Sequence, residues 1–315
     1  MRHWVLKAAT QRAIGAMPNP HYWNEKFQLI ASRSLDLTDE RFFDKLARTR
    51  RHLDNHQRLA GAPGRLGRVV EIGTGWFPIA PIAAWLAGAG DVRSYDIAAH
   101  VTPARVAATL GAFRTAARDG SLRRALPTFD EVRMARLESV ATRARAEDLE
   151  EALDGLGIHF RVCDFGRCGL EPGSVDLLFS TAVLEYLEYP ALVDLLGETS
   201  RVLADDGLAS HWADLADEFA YFDPSISRLN FLRFSGAAWR LVNNPLIPLS
   251  RLRIGDYRRA FEAAGMRIVE EEVTRAPVEE LARVPLAPEF RTQAEEDLRV
   301  LDAWISAVPV RRAAG

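Results

Sequence analysis

Short apolar runs alternate with helix-length amphipathic segments over much of the chain. Several of these runs are almost continuously apolar, as strands covered on both faces of a sheet should be. The runs predict strands at Arg68–Ile72, Val92–Ile97, His159–Phe165, Val175–Val183 and Gly207–Leu215. Helices are predicted between them at Pro81–Ala87 and Tyr189–Leu203. This alternation predicts an α/β fold with a doubly wound, mostly parallel sheet.

Further segments surround the predicted sheet. Residues 1–60 are expected to form a helical N-terminal cap, followed by a ligand-binding domain at 61–275. Within this domain, 101–157 and 216–253 are too long to be simple connections. We interpret both as helical insertions near the carboxyl ends of the strands, where open α/β sheets bind ligands. Residues 276–315 are expected to form a helical C-terminal tail.

Composition narrows the class of protein. The chain has 315 residues and a net charge of −3, so no excess of basic residues indicates a nucleic-acid partner. No apolar run is long enough to span a bilayer. The two cysteines, Cys163 and Cys168, cannot form a disulfide framework or a zinc site of their own. We therefore expect a cytoplasmic protein with a small-molecule substrate and no metal site. The sequence does not determine the oligomeric state.

The stretch VVEIGTGWFPIAP, residues 69–81, is the first candidate for ligand chemistry. Its Gly-Thr-Gly turn leaves bare backbone against a ligand. Asp96, 21 residues after Gly75, can accept hydrogen bonds from both hydroxyls of a ribose, as in NAD enzymes. Pro78 stands where a dinucleotide motif has its third glycine, which disfavours a diphosphate and a dehydrogenase. Glu71 can hold a cationic amino group, and together these features indicate S-adenosylmethionine.

The ordered motifs resemble those of the class I S-adenosylmethionine-dependent methyltransferases, over about Arg68 to Thr274. The sequence Glu71-Ile72-Gly73-Thr74-Gly75 is similar to the family's first motif, and Asp96 to its ribose-binding acid. The resemblance implies a Rossmann-like fold. It places Cys163-Asp164-Phe165 beside adenine, and Val175–Ser180 with Ala182–Glu185 at the fourth strand. Before the fifth strand it extends to Arg201-Val202-Leu203 and Asp206-Gly207. Tyr186 replaces a histidine that many relatives carry, and Asp205-Asp206-Gly207 replaces their Pro-Gly-Gly.

These arguments assign three groups of candidate site residues. The predicted cofactor-binding residues are Glu71, Gly73, Thr74, Gly75, Asp96, Ile97, Asp164, Phe165, Ser180 and Thr181. The candidate catalytic residues are Tyr186, Asp214 and His211, the last as a general base. The candidate substrate residues are Tyr22, Trp212, Tyr221, Trp239 and Arg251. Strand alternation predicts that Trp212 and Asp214 share one face and that His211 lies on the other.

Several functions are compatible with these residues. The resemblance implies in-line methyl transfer from S-adenosylmethionine to a small-molecule acceptor. The first alternative is a cyclase of the same fold, of the azetidine-2-carboxylate synthase type, which releases methylthioadenosine. The second is a protein that binds the cofactor without turnover.

Overall fold

The computed structural model describes residues 3–15, 17, 36–62, 64, 66–243 and 248–310. Within these ranges, seven strands form one sheet in the order β3-β2-β1-β4-β5-β7-β6. They are β1 Arg68–Ile72, β2 Asp91–Asp96, β3 Ile158–Val162, β4 Val175–Thr181, β5 Leu203–Asp214, β6 Met266–Arg275 and β7 Val300–Pro309. Strands β1 to β5 are parallel, and β7 runs antiparallel to both β5 and β6. The predicted mostly parallel α/β sheet is confirmed.

The α-helices of the described ranges lie mainly between the strands. They are α1 His3–Gly15, α2 Asp39–Leu59, α3 Ile79–Leu86, α4 Pro103–Arg118, α5 Ser121–Ala125, α6 Glu131–Arg143, α7 Leu149–Asp154, α8 Tyr189–Val202, α9 Glu218–Phe222, α10 Gly236–Val242, α11 Ile254–Ala263, α12 Val278–Ala282 and α13 Glu295–Leu298. None of them is both long and apolar enough to cross a membrane.

Helices cover both faces of the sheet, which explains why the strands are so apolar. Val69 of β1 packs on one face, in a core shared with α2 and α3. Its neighbour Val70 packs on the other face, in a core shared with α8 and α11. Because side chains alternate along a strand, the central strands β1 and β4 each contribute to both cores.

The expectation of a helical tail was wrong for most of 276–315. Between residue 276 and the start of β7, the helical elements are α12, α13 and a short 3₁₀ turn, Pro288–Phe290. Strand β7 lies between β5 and β6, with Ala303, Ile305 and Ala307 buried. Pairing on both edges satisfies its backbone groups and buries its side chains, and its Val, Ile and Trp residues are types enriched in strands.

The two long insertions occupy different places. The first holds α4 to α7, and Leu110, Phe113 and Leu137 pack in the same core as Trp85 of α3. It thickens one face of the sheet, contrary to the expected position at the carboxyl ends of the strands. The second follows β5, and its Phe219, Phe231 and Trp239 form a third core with Trp4 of α1. That cluster does lie beyond the carboxyl end of a strand.

Arg253 is a buried structural cation. It is 1% exposed and donates to the carbonyls of Leu215 at 2.8 Å, Leu298 at 3.1 Å and Val300. Burial lowers its pKa to about 10. The guanidinium therefore ties the end of β5 to α13 and the start of β7.

Substituting Arg253→Met should lower the free energy of unfolding by about 3 kcal/mol, because three buried carbonyls lose their donor. Arg259→Met is the control, since Arg259 makes an exposed ion pair with Asp256 that is worth about 1 kcal/mol or less. Urea unfolding of both variants measures the difference. Equal stabilities for the two variants would contradict this role of Arg253.

Candidate ligand site at the carboxyl ends of the strands

The loop after β1 is held tightly against the turn after β4. Gly73 and Gly75 have φ values of +87° and +66°, in the left-handed region that glycine tolerates. A Cβ at Gly73 would lie 2.3 Å from Cγ2 of Val183, so no side chain fits there. The loop backbone thus packs closely against the neighbouring connection, and Gly73 and Gly75 remain half-buried.

Asp96 at the end of β2 is positioned by this loop. Its Oδ2 accepts from the Gly75 N–H at 2.9 Å, and its Oδ1 accepts from the Ala98 N–H at 3.1 Å. Each carboxylate oxygen retains a further acceptor site. Ile97 beside it is 84% exposed, which is unusual for an isoleucine. A charged acceptor pair next to an apolar surface matches a ribose followed by a flat base.

The start of α3 is poorly equipped to bind a diphosphate. Pro78 precedes the helix and has no N–H to donate. The N–H of Ile79 donates to the Phe77 carbonyl at 2.8 Å. The backbone donors that usually bind phosphate at a helix N-terminus are therefore reduced, which agrees with the expectation from Pro78.

Glu71 is buried and already has protein partners. Ser94 Oγ donates to its Oε2 at 2.5 Å, and Lys45 Nζ lies 3.7 Å from its Oε1. Burial raises its pKa, while Lys45 and Ser94 oppose that rise. Thr74 bonds Ser94 at 2.6 Å and completes this polar group. The cation next to Glu71 in the structure is therefore a lysine of the chain itself.

Sequence reasoning missed Lys45. It lies on α2, three residues after the buried Phe42 and four before the buried Thr49. A lysine on the buried stripe of an otherwise amphipathic helix was the available signal.

The residues expected beside adenine, Asp164 and Phe165, have different surroundings in the structure. Asp164 caps a 3₁₀ turn by accepting from the Gly166 N–H at 3.1 Å. Phe165 is buried and packs edge-on against Tyr95, with ring centroids 5.7 Å apart. Val162, which the sequence analysis did not assign, is 60% exposed at the end of β3. The exposed apolar surface next to Asp96 thus comes from Ile97 and Val162, and the Phe165 ring lies in the core.

His211 is placed where it cannot serve as a surface base. It is fully buried, and its Nδ1 shares a 2.7 Å hydrogen bond with Ser180 Oγ. Burial lowers its pKa to about 3. Its expected role as a general base is therefore corrected to a structural one, and Ser180 is occupied by the same contact.

The opposite face of β4 and β5 carries a second polar group. His52 of α2 bonds Thr181 at 3.1 Å and Ser210 at 2.8 Å, and burial lowers its pKa well below the usual value. Trp212 lies on this face under the Arg48 guanidinium, 3.6 Å from the ring centroid. The predicted separation of Trp212 from His211 agrees with these contacts.

Tyrosine–carboxylate pairs lie beyond the ends of β4 and β5. Tyr186 donates to Glu218 Oε1 at 2.5 Å, and Tyr221 donates to Asp214 Oδ2 at 2.8 Å. Burial, followed by Glu218 and Glu185, raises the pKa of Tyr186. Tyr221 is 65% exposed, and partial burial followed by Asp214 raises its pKa. Burial likewise raises the pKa of Asp214 and Glu218. Both tyrosines therefore stay neutral at physiological pH, and both carboxylates are more basic than usual.

Glu185 adds a further acid that sequence reasoning did not assign to chemistry. It is 2% exposed, and its Oε2 has no hydrogen-bond partner among the described residues. Burial, with Asp214 and Glu218 nearby, raises its pKa well above the usual value. A buried, incompletely bonded carboxyl beside two other acids favours a cationic or hydrogen-bond-donating group in this region.

Two of the expected substrate residues have structural partners. Trp239 is buried, and its indole N–H donates to the Leu249 carbonyl at 3.1 Å. Arg251 donates to the Phe234 carbonyl and to Glu289 at 3.2 Å. Both therefore hold the third core together. Tyr22 lies outside the described residues.

Comparison with known proteins supports the family resemblance. The family model described as a methyltransferase domain matches residues 128–210, about a quarter of the chain. This match includes β3, β4 and most of β5, and it leaves out Gly73 and Asp96. The resemblance to the class I S-adenosylmethionine-dependent methyltransferases is thereby confirmed for this segment. No curated protein matches the chain.

Solved structures give distant likenesses. Geranyl diphosphate C-methyltransferase from Streptomyces coelicolor A3(2), in complex with Mg²⁺, geranyl diphosphate and S-adenosyl-L-homocysteine, is 15% identical with a TM-score of 0.45. The alignment covers 84% of this chain and 77% of that one. An S-adenosylmethionine-dependent methyltransferase from Mesorhizobium loti is 16% identical with a TM-score of 0.41, over 79% of this chain and 94% of that one.

The buried His211 should make stability pH-dependent. Its pKa is about 3 when folded and about 6.5 when unfolded, so the unfolded chain binds more protons between these values. Stability from the neutral imidazole is complete above pH 6.5 and is lost as the pH falls. When the pH falls from 7 to 5, the free energy of unfolding should therefore drop by about 2 kcal/mol less in His211→Asn than in the unsubstituted protein. Urea unfolding at both pH values measures this, and an identical pH dependence would refute it.

Proposed function

We propose that the protein transfers the methyl group of S-adenosylmethionine to a small-molecule acceptor. The observation that carries the proposal is the hydrogen bond between Gly75 and Asp96, which joins the glycine loop to an acid with free acceptor sites. The exposed Ile97 next to Asp96 supports an adenosine ligand. The family match at residues 128–210 supports methyl transfer as the reaction class.

The residues present fit this cofactor. Asp96 would accept from the ribose hydroxyls, and Ile97 with Val162 would cover the base. Gly73 and Gly75 would let the loop backbone approach the amino-acid portion. The bound cofactor supplies a methyl group activated by its sulfonium charge.

The acceptor would lie beyond β4 and β5, where Tyr186, Asp214 and Tyr221 converge. Asp214 is more basic than usual and its Oδ1 also accepts from the Ala216 N–H at 3.0 Å. It can hold an amine or hydroxyl nucleophile and take up its proton. The Tyr186 hydroxyl is fixed by Glu218, which leaves the ring as its contribution toward a cation.

Alignment is the main requirement of such a reaction, because the methyl donor is intrinsically reactive. The lysine beside the glycine loop and the tyrosines bonded to the acids would therefore contribute by holding groups in position. The fully buried His211 and Ser180 support the strands that carry the site. No observation in the structure favours the cyclase alternative.

Asp96→Asn should weaken the binding of S-adenosylhomocysteine at least about tenfold, because hydrogen bonds to a charged carboxylate are replaced by neutral ones. Asp119→Asn is the matched control, since this exposed acid binds Ser121 between α4 and α5. Isothermal titration calorimetry compares the two variants. Unchanged affinity in Asp96→Asn would contradict the cofactor assignment.

The product identifies the reaction. With S-adenosylmethionine and a panel of amines and hydroxyl compounds, we expect S-adenosylhomocysteine together with a methylated acceptor, detected by mass spectrometry. Methylthioadenosine formed with the cofactor alone would establish the cyclase instead. Binding without any product across the panel would support the non-catalytic alternative.

Tyr186 separates ring from hydroxyl effects. Tyr186→Phe keeps the ring and should leave kcat within about threefold, whereas Tyr186→Leu should lower kcat about tenfold because the aromatic face is lost. Steady-state kinetics with the acceptor found above measures both. Equal losses of kcat in Tyr186→Phe and Tyr186→Leu would show that the hydroxyl, which both variants lack, matters instead of the ring.

A further inference from the structure

Lys45 reaches from α2 to the glycine loop. Its Nζ donates to the Thr74 carbonyl at 2.7 Å and to the Phe77 carbonyl at 3.3 Å. The neighbouring Phe42 and Leu46 are buried, so the helix directs the lysine stem inward. The position of the ammonium is therefore set both by the helix and by the loop that it contacts.

The Lys45 ammonium can donate a further hydrogen bond. An ammonium has three N–H donors, and two of them go to the loop carbonyls. Glu71 Oε1 lies at 3.7 Å, beyond hydrogen-bond distance, and Glu71 Oε2 is bonded to Ser94. The lysine side chain is 23% exposed. One N–H and part of the positive charge can thus reach a group outside the loop.

The order of the strands indicates from which side a ligand group would approach Lys45. Strands β3, β2, β1 and β4 follow one another, with the apolar Val162 and Ile97 at the ends of β3 and β2. An adenosine with its ribose on Asp96 and its base over these residues extends its 5′ substituent toward β1. Lys45 Nζ lies at β1, 3.9 Å from the position that a Cβ of Gly75 would occupy.

We propose that Lys45 binds the carboxylate of the cofactor's methionine portion. This inference rests on the function proposed above and assigns a binding residue that no motif of the sequence indicated. Lys45 also neutralises Glu71, so the site favours a zwitterionic amino-acid group over a purely cationic one. A charge-assisted hydrogen bond to a carboxylate is among the stronger single contacts of its kind.

The test compares ligands that differ in the carboxylate. Calorimetry would measure the binding of S-adenosylhomocysteine and of decarboxylated S-adenosylhomocysteine, which share the thioether, to the unsubstituted protein, Lys45→Met and Lys45→Arg. Lys45→Met should weaken S-adenosylhomocysteine about tenfold to hundredfold. The decarboxylated ligand should change by no more than about twofold, or bind more tightly, because Glu71 is left without its lysine. Lys45→Arg retains the charge and should recover most of the affinity for S-adenosylhomocysteine.

Other outcomes overturn the inference in separate ways. An equal loss for both ligands means that Lys45 only holds the loop, and no loss for either means that it does not contact the ligand. If neither ligand binds the unsubstituted protein, the proposed function fails as well. Circular dichroism checks the fold of each variant, and Lys45→Gln replaces Lys45→Met if the latter does not fold.

Discussion

The close approach of Gly73 and Val183 constrains the carboxyl edge of the sheet. The connections after β1 and β4 meet there, at the point where the strand order changes direction, and a Cβ on Gly73 has no room. The facing turn is itself irregular, because Ala182 has a φ of +55°, a conformation that is costly for a residue with a side chain. The Ala182 N–H donates to the Trp212 carbonyl at 2.9 Å. Strands β1, β4 and β5 are thus joined through one strained junction.

Much of the fold, and the meeting of the glycine loop with Asp96, was readable from the sequence. Buried parallel strands are recognisable from short apolar runs such as Leu177–Phe179 in β4, and helix α8 was predicted to within one residue of its observed end. Gly73, Gly75 and Asp96 could be found because a tight turn and a strand-ending acid are local features. The structure adds the hydrogen bond that joins them, which gives a physical reason for their spacing.

The remaining features depend on contacts between distant parts of the chain. The strand Val300–Pro309 pairs with β5 and β6, and its content of Val, Ile and Trp was a local signal that the prediction of a helical tail left unused. His211 stands at the end of a strand like a catalytic group, yet its face of the sheet is the buried one. Lys45 precedes its contacts at Thr74 and Phe77 by 29 and 32 residues. The last two cases required knowledge of which face of an element is covered.

The charged side chains differ between the two parts of the carboxyl edge of the sheet. Over β1 the lysine of α2 offsets the buried Glu71, whereas beyond β4 and β5 burial, together with neighbouring carboxylates, raises the pKa values of Glu185, Asp214 and Glu218. On the proposed function, the amino-acid end of the cofactor meets the balanced pair and the sulfonium meets the acidic group. Acidic surroundings favour a cationic donor over the neutral thioether that remains after transfer. The same acids can therefore assist binding of the donor and departure of the product, while the aromatic and carboxyl groups hold the nucleophile in line.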